Sequence, residues 1–371
     1  MSNSKTTTLL LLVVAAPVAV AFILYRLAEF DPAPLPEHVL SRSPPILPPK
    51  LYSGFLESAE RVGEGVLVGP EDLAYDAETG FIYTGCSDGW IKRLYVADTA
   101  DDKEKAKVEN WAFTGGRPLG LAFGPDKQLI VADSYKGLLR VSREGTTVEL
   151  LTDEADGLKF KLTDGVDVGR DGVIYFTDAS YKYSFDVHMV DILEGRPHGR
   201  LISFDPSINK TQVLARHLYF ANGVALSPNQ DFLIFCETVL RKCSKYHIQG
   251  ERRGSIETFI DNLPGIPDNI RYDGEGCFWI GIAMGKTVFW DALMRYPILR
   301  KMVWMLEKVM RLPNMQSHGG VMAVNLDGEA IAFYSEAGLS MVSNGIKIGD
   351  QLYIGYVAST YITRLHLNQL V

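Results

Sequence analysis

An all-β fold, a six-bladed β-propeller with helical cap insertions behind an amino-terminal transmembrane anchor, is what this sequence predicts. Three observations carry the prediction. One strand motif recurs along the chain, its copies lie about a blade apart, and each copy is followed by a polar turn and a second apolar strand. The copies read Glu71-Asp72-Leu73-Ala74-Tyr75, Leu119-Gly120-Leu121-Ala122-Phe123, Asp164-Gly165-Val166-Asp167-Val168, Asn222-Gly223-Val224-Ala225-Leu226 and Asp268-Asn269-Ile270-Arg271-Tyr272. A weaker sixth is Asn344-Gly345-Ile346-Lys347-Ile348. From Leu73 through Leu121, Val166 and Val224 to Ile270, the central aliphatics are 48, 45, 58 and 46 residues apart. A pair of β-sandwiches explains neither this spacing nor the polar residue that opens the copies.

The chain divides into three parts. Residues 1–30 form an anchor: Leu9 to Tyr25 is 17 residues without a charge, bounded by Lys5 and Arg26. That length is at the short limit for a bilayer span. Ala19-Val20-Ala21 also offers a signal cleavage site, which would leave a secreted or vacuolar soluble protein. The positive flank stays cytosolic, so both readings put the remainder on the lumenal side of an endomembrane, the endoplasmic reticulum or vacuole. Residues 31–50 hold Pro32, Pro34, Pro36, Pro44, Pro45, Pro48 and Pro49 and read as a semi-rigid stalk. Residues 51–371 form the propeller.

Within the propeller, hairpin grammar follows each motif. Phe81-Ile82-Tyr83 comes after Asp76, Gln128-Leu129-Ile130-Val131 after Asp126, and Val173-Ile174-Tyr175-Phe176 after Gly172. Phe232-Leu233-Ile234-Phe235 and Cys277-Phe278-Trp279-Ile280 continue the pattern. Two units carry extra residues. Tyr181 to Pro197 reads as a short helix or ordered loop. Lys286 to Leu312 places Phe289, Leu293, Tyr296, Leu299, Val303, Leu306 and Met310 at helical spacing. Both are expected to cap one mouth of the ring and roof a small-molecule pocket. Arg295, Arg300, Lys301, Lys308 and Arg311 beside the second apolar run also suit a membrane surface.

The chemistry lies in the opening position of the motif: Glu71, Leu119, Asp164, Asn222, Asp268 and Asn344. In a closed ring these side chains converge on the axis. Like charges brought together raise one another's pKa unless a cation sits between them, and an all-oxygen donor set suits a hard cation such as calcium. Asn209-Lys210-Thr211 is a glycosylation sequon in an expected surface turn, in keeping with a lumenal domain. Of four cysteines none shows zinc spacing; Cys236 and Cys243 either pair across a hairpin or remain buried thiols. A net charge of −8 without basic runs excludes nucleic acid as a partner.

Gly69-Pro70-Glu71-Asp72, Val173-Ile174-Tyr175-Phe176-Thr177-Asp178-Ala179-Ser180, His198-Gly199-Arg200-Leu201, Ala221-Asn222-Gly223-Val224-Ala225-Leu226-Ser227 and Pro267-Asp268-Asn269-Ile270 together resemble the strictosidine synthase-like family, including its adipocyte plasma membrane-associated branch. Through it the chain is similar to paraoxonases, gluconolactonases and related calcium-dependent propellers. The resemblance implies a central calcium on Glu71, Asn222, Asp268 and Asn269, with Thr163 where the paraoxonases have a further amide ligand. It implies a second, structural calcium on Asp72 and Asp164. It also places Leu119 where the paraoxonases have a histidine base, and Ser343 near the catalytic glutamate of strictosidine synthase. No carboxylate stands between Leu339 and Lys347, so strictosidine synthesis is not expected. The expected activity is metal-dependent hydrolysis of esters, lactones or phosphotriesters, with Asp268 or Glu71 activating water or attacking directly. Asp164 or His318 would be the substitute base. The alternative is a non-catalytic scaffold pinned by calcium.

Overall fold

The computed structural model describes residues 30–41, 44–55, 59–95, 107–307 and 318–369, with isolated positions at 15, 17, 18 and 21. Six sheets follow one another around an axis. Blade 1 comprises Leu73–Asp76, Phe81–Gly85, Trp90–Tyr95 and Val108–Phe113; blade 2 comprises Pro118–Phe123, Leu129–Asp133, Gly137–Val141 and Val148–Thr152. Blade 3 is Thr163–Val168, Ile174–Asp178, Gly199–Asp205 and Lys210–Leu218. Blade 4 is Ala221–Leu226, Phe232–Glu237, Lys242–His247 and Ile256–Ile260. Blade 5 is Gly265–Tyr272, Cys277–Gly285, Gly320–Asn325 and Ala330–Ser335, with Lys50–Tyr52 added in parallel at its edge. Blade 6 is Val342–Ile348, Gln351–Tyr356 and Ile362–His366, and Glu60–Val62 from the other end of the propeller supplies its fourth strand. That strand closes the ring and removes an open sheet edge.

All six motif copies, the weak sixth included, fall at the innermost strands, and the pairing there explains their residue types. In blades 2 to 6 the register between first and second strands slips at the motif. Such bulges re-aim a side chain. Here the slip falls at the residue that meets the axis, while in blade 1 Glu71 and Asp72 precede the paired strand. The motif glycines meet a different demand. A Cβ on Gly165 would stand 2.8 Å from the Asn222 carbonyl oxygen, and one on Gly223 would stand 2.6 Å from the Asn269 Cα. Successive innermost strands approach so closely that no side chain fits between them.

Both insertions are helical and cover the same mouth. Helix α1 is the single turn Glu37–Leu40, α2 is His188–Glu194, α3 is Val288–Arg295 and α4 is Pro297–Glu307. The Thr287 hydroxyl accepts from the Trp290 N–H and starts α3. Buried Ile192, Trp290, Leu293 and Met294 form one apolar cluster with Leu119, Phe220 and Ile266 of the ring. The stalk expectation for 31–50 is corrected. Leu35 and Val39 are buried in that cluster, Phe30 stacks on Trp304 of α4, and the Ala33 N–H donates to the Glu194 carbonyl. Prolines keep this stretch extended, but its apolar residues find a groove between the caps and therefore pack.

Cys236 and Cys243 stand opposite each other in blade 4 and form a disulfide. Asn209 lies exposed at a left-handed position of the turn between the last two strands of blade 3. No helix among the described residues is long and apolar enough to cross a membrane. The Leu9–Tyr25 stretch, apart from four isolated positions, lies outside the described residues.

Candidate metal centre and its chamber

Carboxylate oxygens of Glu71, Asp164 and Asp268, from blades 1, 3 and 5, lie within 4.8 Å of one another on the axis. Asn269 donates its amide to Glu71 Oε1 at 2.9 Å, and the Asn222 amide hydrogen-bonds the Asp268 carboxyl. Glu71 Oε2 and Asn222 Oδ1 are buried with no hydrogen-bond partner. Buried polar atoms are normally satisfied, so two orphaned oxygens beside three crowded carboxyl groups are the signature of a cation site. The donors present fit calcium: all are oxygens, and none is a thiol or imidazole.

Electrostatics agree. Burial pushes the Glu71 carboxyl well above the ordinary carboxylate range, and Asp268 and Asp72 push it further. Asp164 is raised by burial and then by Glu71, and Asp268 by burial and then by Asp164. Arg117 opposes all three shifts. Its guanidinium is buried, bonded to the Gly69 and Val357 carbonyls at 2.9 and 3.2 Å, and its own pKa is lowered by burial. One guanidinium cannot neutralise three carboxylates, so at neutral pH the group binds either protons or a cation.

The expected ligand assignments change at Asp164, Asp72 and Thr163. Asp164 belongs to the first group, and the expected second calcium site on Asp72 and Asp164 does not fit this chain. Asp72 accepts from the Leu73 and Leu121 N–H groups at 2.9 and 2.7 Å, from the Asn344 amide and from the Arg271 guanidinium. The same guanidinium donates to the Val166 and Leu121 carbonyls at 2.9 and 2.7 Å. Arg271 thus presents an organic cation to the carboxylate and carbonyls that a second ion would need. Thr163 also stands apart: its hydroxyl donates to the Asp133 carbonyl, and it does not line the chamber.

Above the carboxylates opens a cavity of about 320 Å³. Glu71, Asp164, Asn222 and Asp268 form its polar floor; Leu119, Phe220 and Ile266 of the ring and Ile192, Trp290 and Leu293 of the caps form apolar walls. Leu119 is therefore at the site, where it offers no base. His318 is exposed and away from the chamber. A different imidazole lines it, His188 at the start of α2, with Nδ1 2.7 Å from the Phe185 carbonyl. A carbonyl only accepts, so Nδ1 carries the proton and Nε2 is the basic nitrogen. Burial holds its pKa below the usual histidine value. Ser343 is buried and donates its hydroxyl to the Glu71 carbonyl at 2.5 Å. Sequence reading missed His188, Arg117 and Arg271. Only Arg271 carried a signal: it takes the motif position held by Ala74, Ala122 and Ala225 in other blades.

Two family models match the chain, "Strictosidine synthase" over residues 164–251 and "Strictosidine synthase-like, N-terminal" over 55–94. Protein STRICTOSIDINE SYNTHASE-LIKE 6 of Arabidopsis thaliana is 51% identical over 354 residues, covering 95% of this chain and 94% of that one. The chain belongs to the strictosidine synthase-like family. The adipocyte plasma membrane-associated protein of Bos taurus is 32% identical, across 90% of this chain and 84% of its own. Among solved structures, a gluconolactonase from Xanthomonas campestris superimposes with a TM-score of 0.60 at 16% identity, covering 88% of this chain and 97% of its own. The calcium-binding protein regucalcin from Agrobacterium tumefaciens gives 0.59 at 16% identity, covering 85% and 95%. These likenesses establish the six-bladed propeller and no more. Ser343, near which the resemblance puts the catalytic glutamate of strictosidine synthase, offers only a buried hydroxyl committed to the Glu71 carbonyl.

Proposed function

We propose that this strictosidine synthase-like protein is a calcium-assisted hydrolase of small esters, lactones or phosphotriesters with an apolar body. One observation carries the reading: three crowded carboxyl groups and orphaned oxygens form the floor of a chamber whose walls are apolar apart from His188, Thr238 and Glu307. Glu71, Asn222 and Asp268 would hold the ion, with Asp164 beside them and Asn269 orienting Glu71. A calcium ion held there supplies Lewis-acid polarisation of a carbonyl or phosphoryl oxygen. The apolar walls admit the substrate body and exclude bulk water. His188 stands neutral with Nε2 as acceptor and takes the proton of the attacking water, the task Leu119 cannot perform. Gluconolactonase and regucalcin among the structural neighbours support both the reaction class and the ion.

The anchor, the lumenal orientation and glycosylation at Asn209 belong to the same proposal. The uncharged stretch at Leu9–Tyr25 and the exposed sequon turn support them, and so does the disulfide, since such bonds persist in oxidising compartments. Protease treatment of sealed microsomes should spare the propeller; digestion from outside overturns the orientation. A second reading, a calcium-pinned binding scaffold, is favoured by Leu119 alone. One screen separates the two. Full-length protein is assayed against aryl esters, lactones and phosphotriesters with calcium and with chelator, beside Asp268→Ala and His188→Gln. The hydrolase reading expects calcium-dependent turnover, lost in Asp268→Ala and reduced about 100-fold or more in His188→Gln with calcium affinity kept. No turnover on any panel member leaves the scaffold.

A further inference from the structure

Helix α4 is buried on one side and apolar on the opposite, outward side. Arg300 and Trp304 are buried against the fold, while Ile298, Met302 and Leu306, spaced by four residues, share one outward stripe. A surface helix ordinarily turns polar residues outward. Here Ile298 is 60% exposed, and Val288 and Phe289 at the start of α3, with Val288 88% exposed, extend the apolar face. Tyr296 joins the two helices and is exposed as well. Exposed apolar side chains scattered singly mean little, but six on one helical hairpin form a patch that marks a binding surface.

The amino-terminal chain arrives on the inner side of this same helix. Phe30, the first residue of the continuous described chain, is buried and stacks on Trp304 with ring centres 4.9 Å apart. Arg300 fixes the following turn by donating to the Ala33 carbonyl and, at 3.0 Å, to the Leu193 carbonyl. The described chain that follows the uncharged Leu9–Tyr25 stretch thus first meets the propeller at α4, beside Leu193 of α2. We propose that the α3–α4 hairpin lies on the same bilayer that the amino-terminal segment enters, apolar stripe in the interface and chamber mouth facing the lipid. The inference rests on the anchor reading above. Arg295 and Lys301 flank the stripe where cationic side chains reach headgroups. Phe289 both lines the chamber and is half exposed, so the rim of the cavity and the proposed membrane face are one surface. The Asn209 turn follows Asp205, at the far end of the third strand of blade 3 from the cap. Seven strand residues put it about 20 Å away, so a glycan there would stay in water.

The test uses the full-length chain in phosphatidylcholine vesicles containing spin-labelled lipid. Single environment-sensitive fluorophores are attached at Ile298→Cys, Met302→Cys and, as reference, Ile208→Cys, which is 65% exposed beside the sequon. The expected result is co-flotation with the vesicles and severalfold stronger quenching at positions 298 and 302 than at 208. In an Ile298→Asp/Met302→Asp variant, flotation should persist while a label at Val288→Cys loses its quenching. Flotation with equal quenching at 298 and 208 overturns this inference and leaves the anchor intact. A label at 298 shielded from both water and lipid assigns the stripe to a second copy instead and also overturns it. Failure to float removes the anchor and this inference together.

Discussion

Glu71 and Asp72 are consecutive, equally buried and both on the axis, yet their surroundings are opposite. Asp72 is met on one side by Arg271, Asn344 and two backbone N–H groups, so every lone pair has a donor. Glu71 faces the chamber with Asp164 and Asp268, and one of its oxygens has no donor. One side of the axis carries its balancing positive charge in the chain; the other has only Arg117 against three carboxyl groups and leaves the rest to be supplied from outside. A carboxylate group is evidence for an ion only after its protein partners have been counted, and the two neighbours show both outcomes within one residue.

The sharpest way to break that comparison is to remove Arg271. Arg271→Met strands a buried Asp72 charge, and the expected loss is about 3–5 kcal/mol, read from urea midpoints. A midpoint near wild type would mean that the guanidinium is not the compensating cation. On the chamber side a charge removal should act in the opposite direction. Asp164→Asn in chelator at about pH 8 should raise stability by about 1–2 kcal/mol, because it relieves like-charge crowding. A destabilised Asp164→Asn would place Asp164 in a structural role like that of Asp72.

The pH profile sharpens the same point. Glu71, Asp164 and Asp268 have folded pKa values above their unfolded ones. Their contribution is fully present below the ordinary carboxylate range and is lost as pH rises through the raised values. Metal-free protein should therefore melt at progressively lower temperature from about pH 5 to about pH 8, and saturating calcium should flatten that slope. A slope of the reverse sign would contradict the raised values. The smallest effect belongs to Ser343→Ala, which loses one hydrogen bond worth about 1 kcal/mol and leaves hydrolysis unchanged. A large loss of turnover there would reopen the last blade as a catalytic element.

Much of this was legible in the chain. A repeated motif gives both blade count and axis, because the residue that must meet the axis sits at one fixed place in every copy. Helical spacing at Phe289, Leu293 and Val303 likewise announced the second cap. What stayed hidden depended on side chains reaching between blades. Arg271 of blade 5 bonds Asp72 of blade 1 and the Val166 carbonyl of blade 3, and no spacing within a repeat encodes such a reach. His188 enters from an insertion with no counterpart in other blades. Residues 31–50 were misread because proline density reports local stiffness, whereas Leu35 and Val39 pack against helices some 150–260 positions later.

We propose that the axial carboxyl groups hold one divalent cation. Calorimetric titration of chelator-treated full-length protein with calcium, beside Asp268→Ala and Asp72→Asn, tests it most directly. One tight site per chain is expected, abolished in Asp268→Ala and retained in folded Asp72→Asn, with thermal stabilisation worth about 2.7 kcal/mol at a hundredfold excess over Kd. Two sites per chain would contradict the role given to Arg271. No site, with melting indifferent to calcium and chelator, would contradict the metal centre itself.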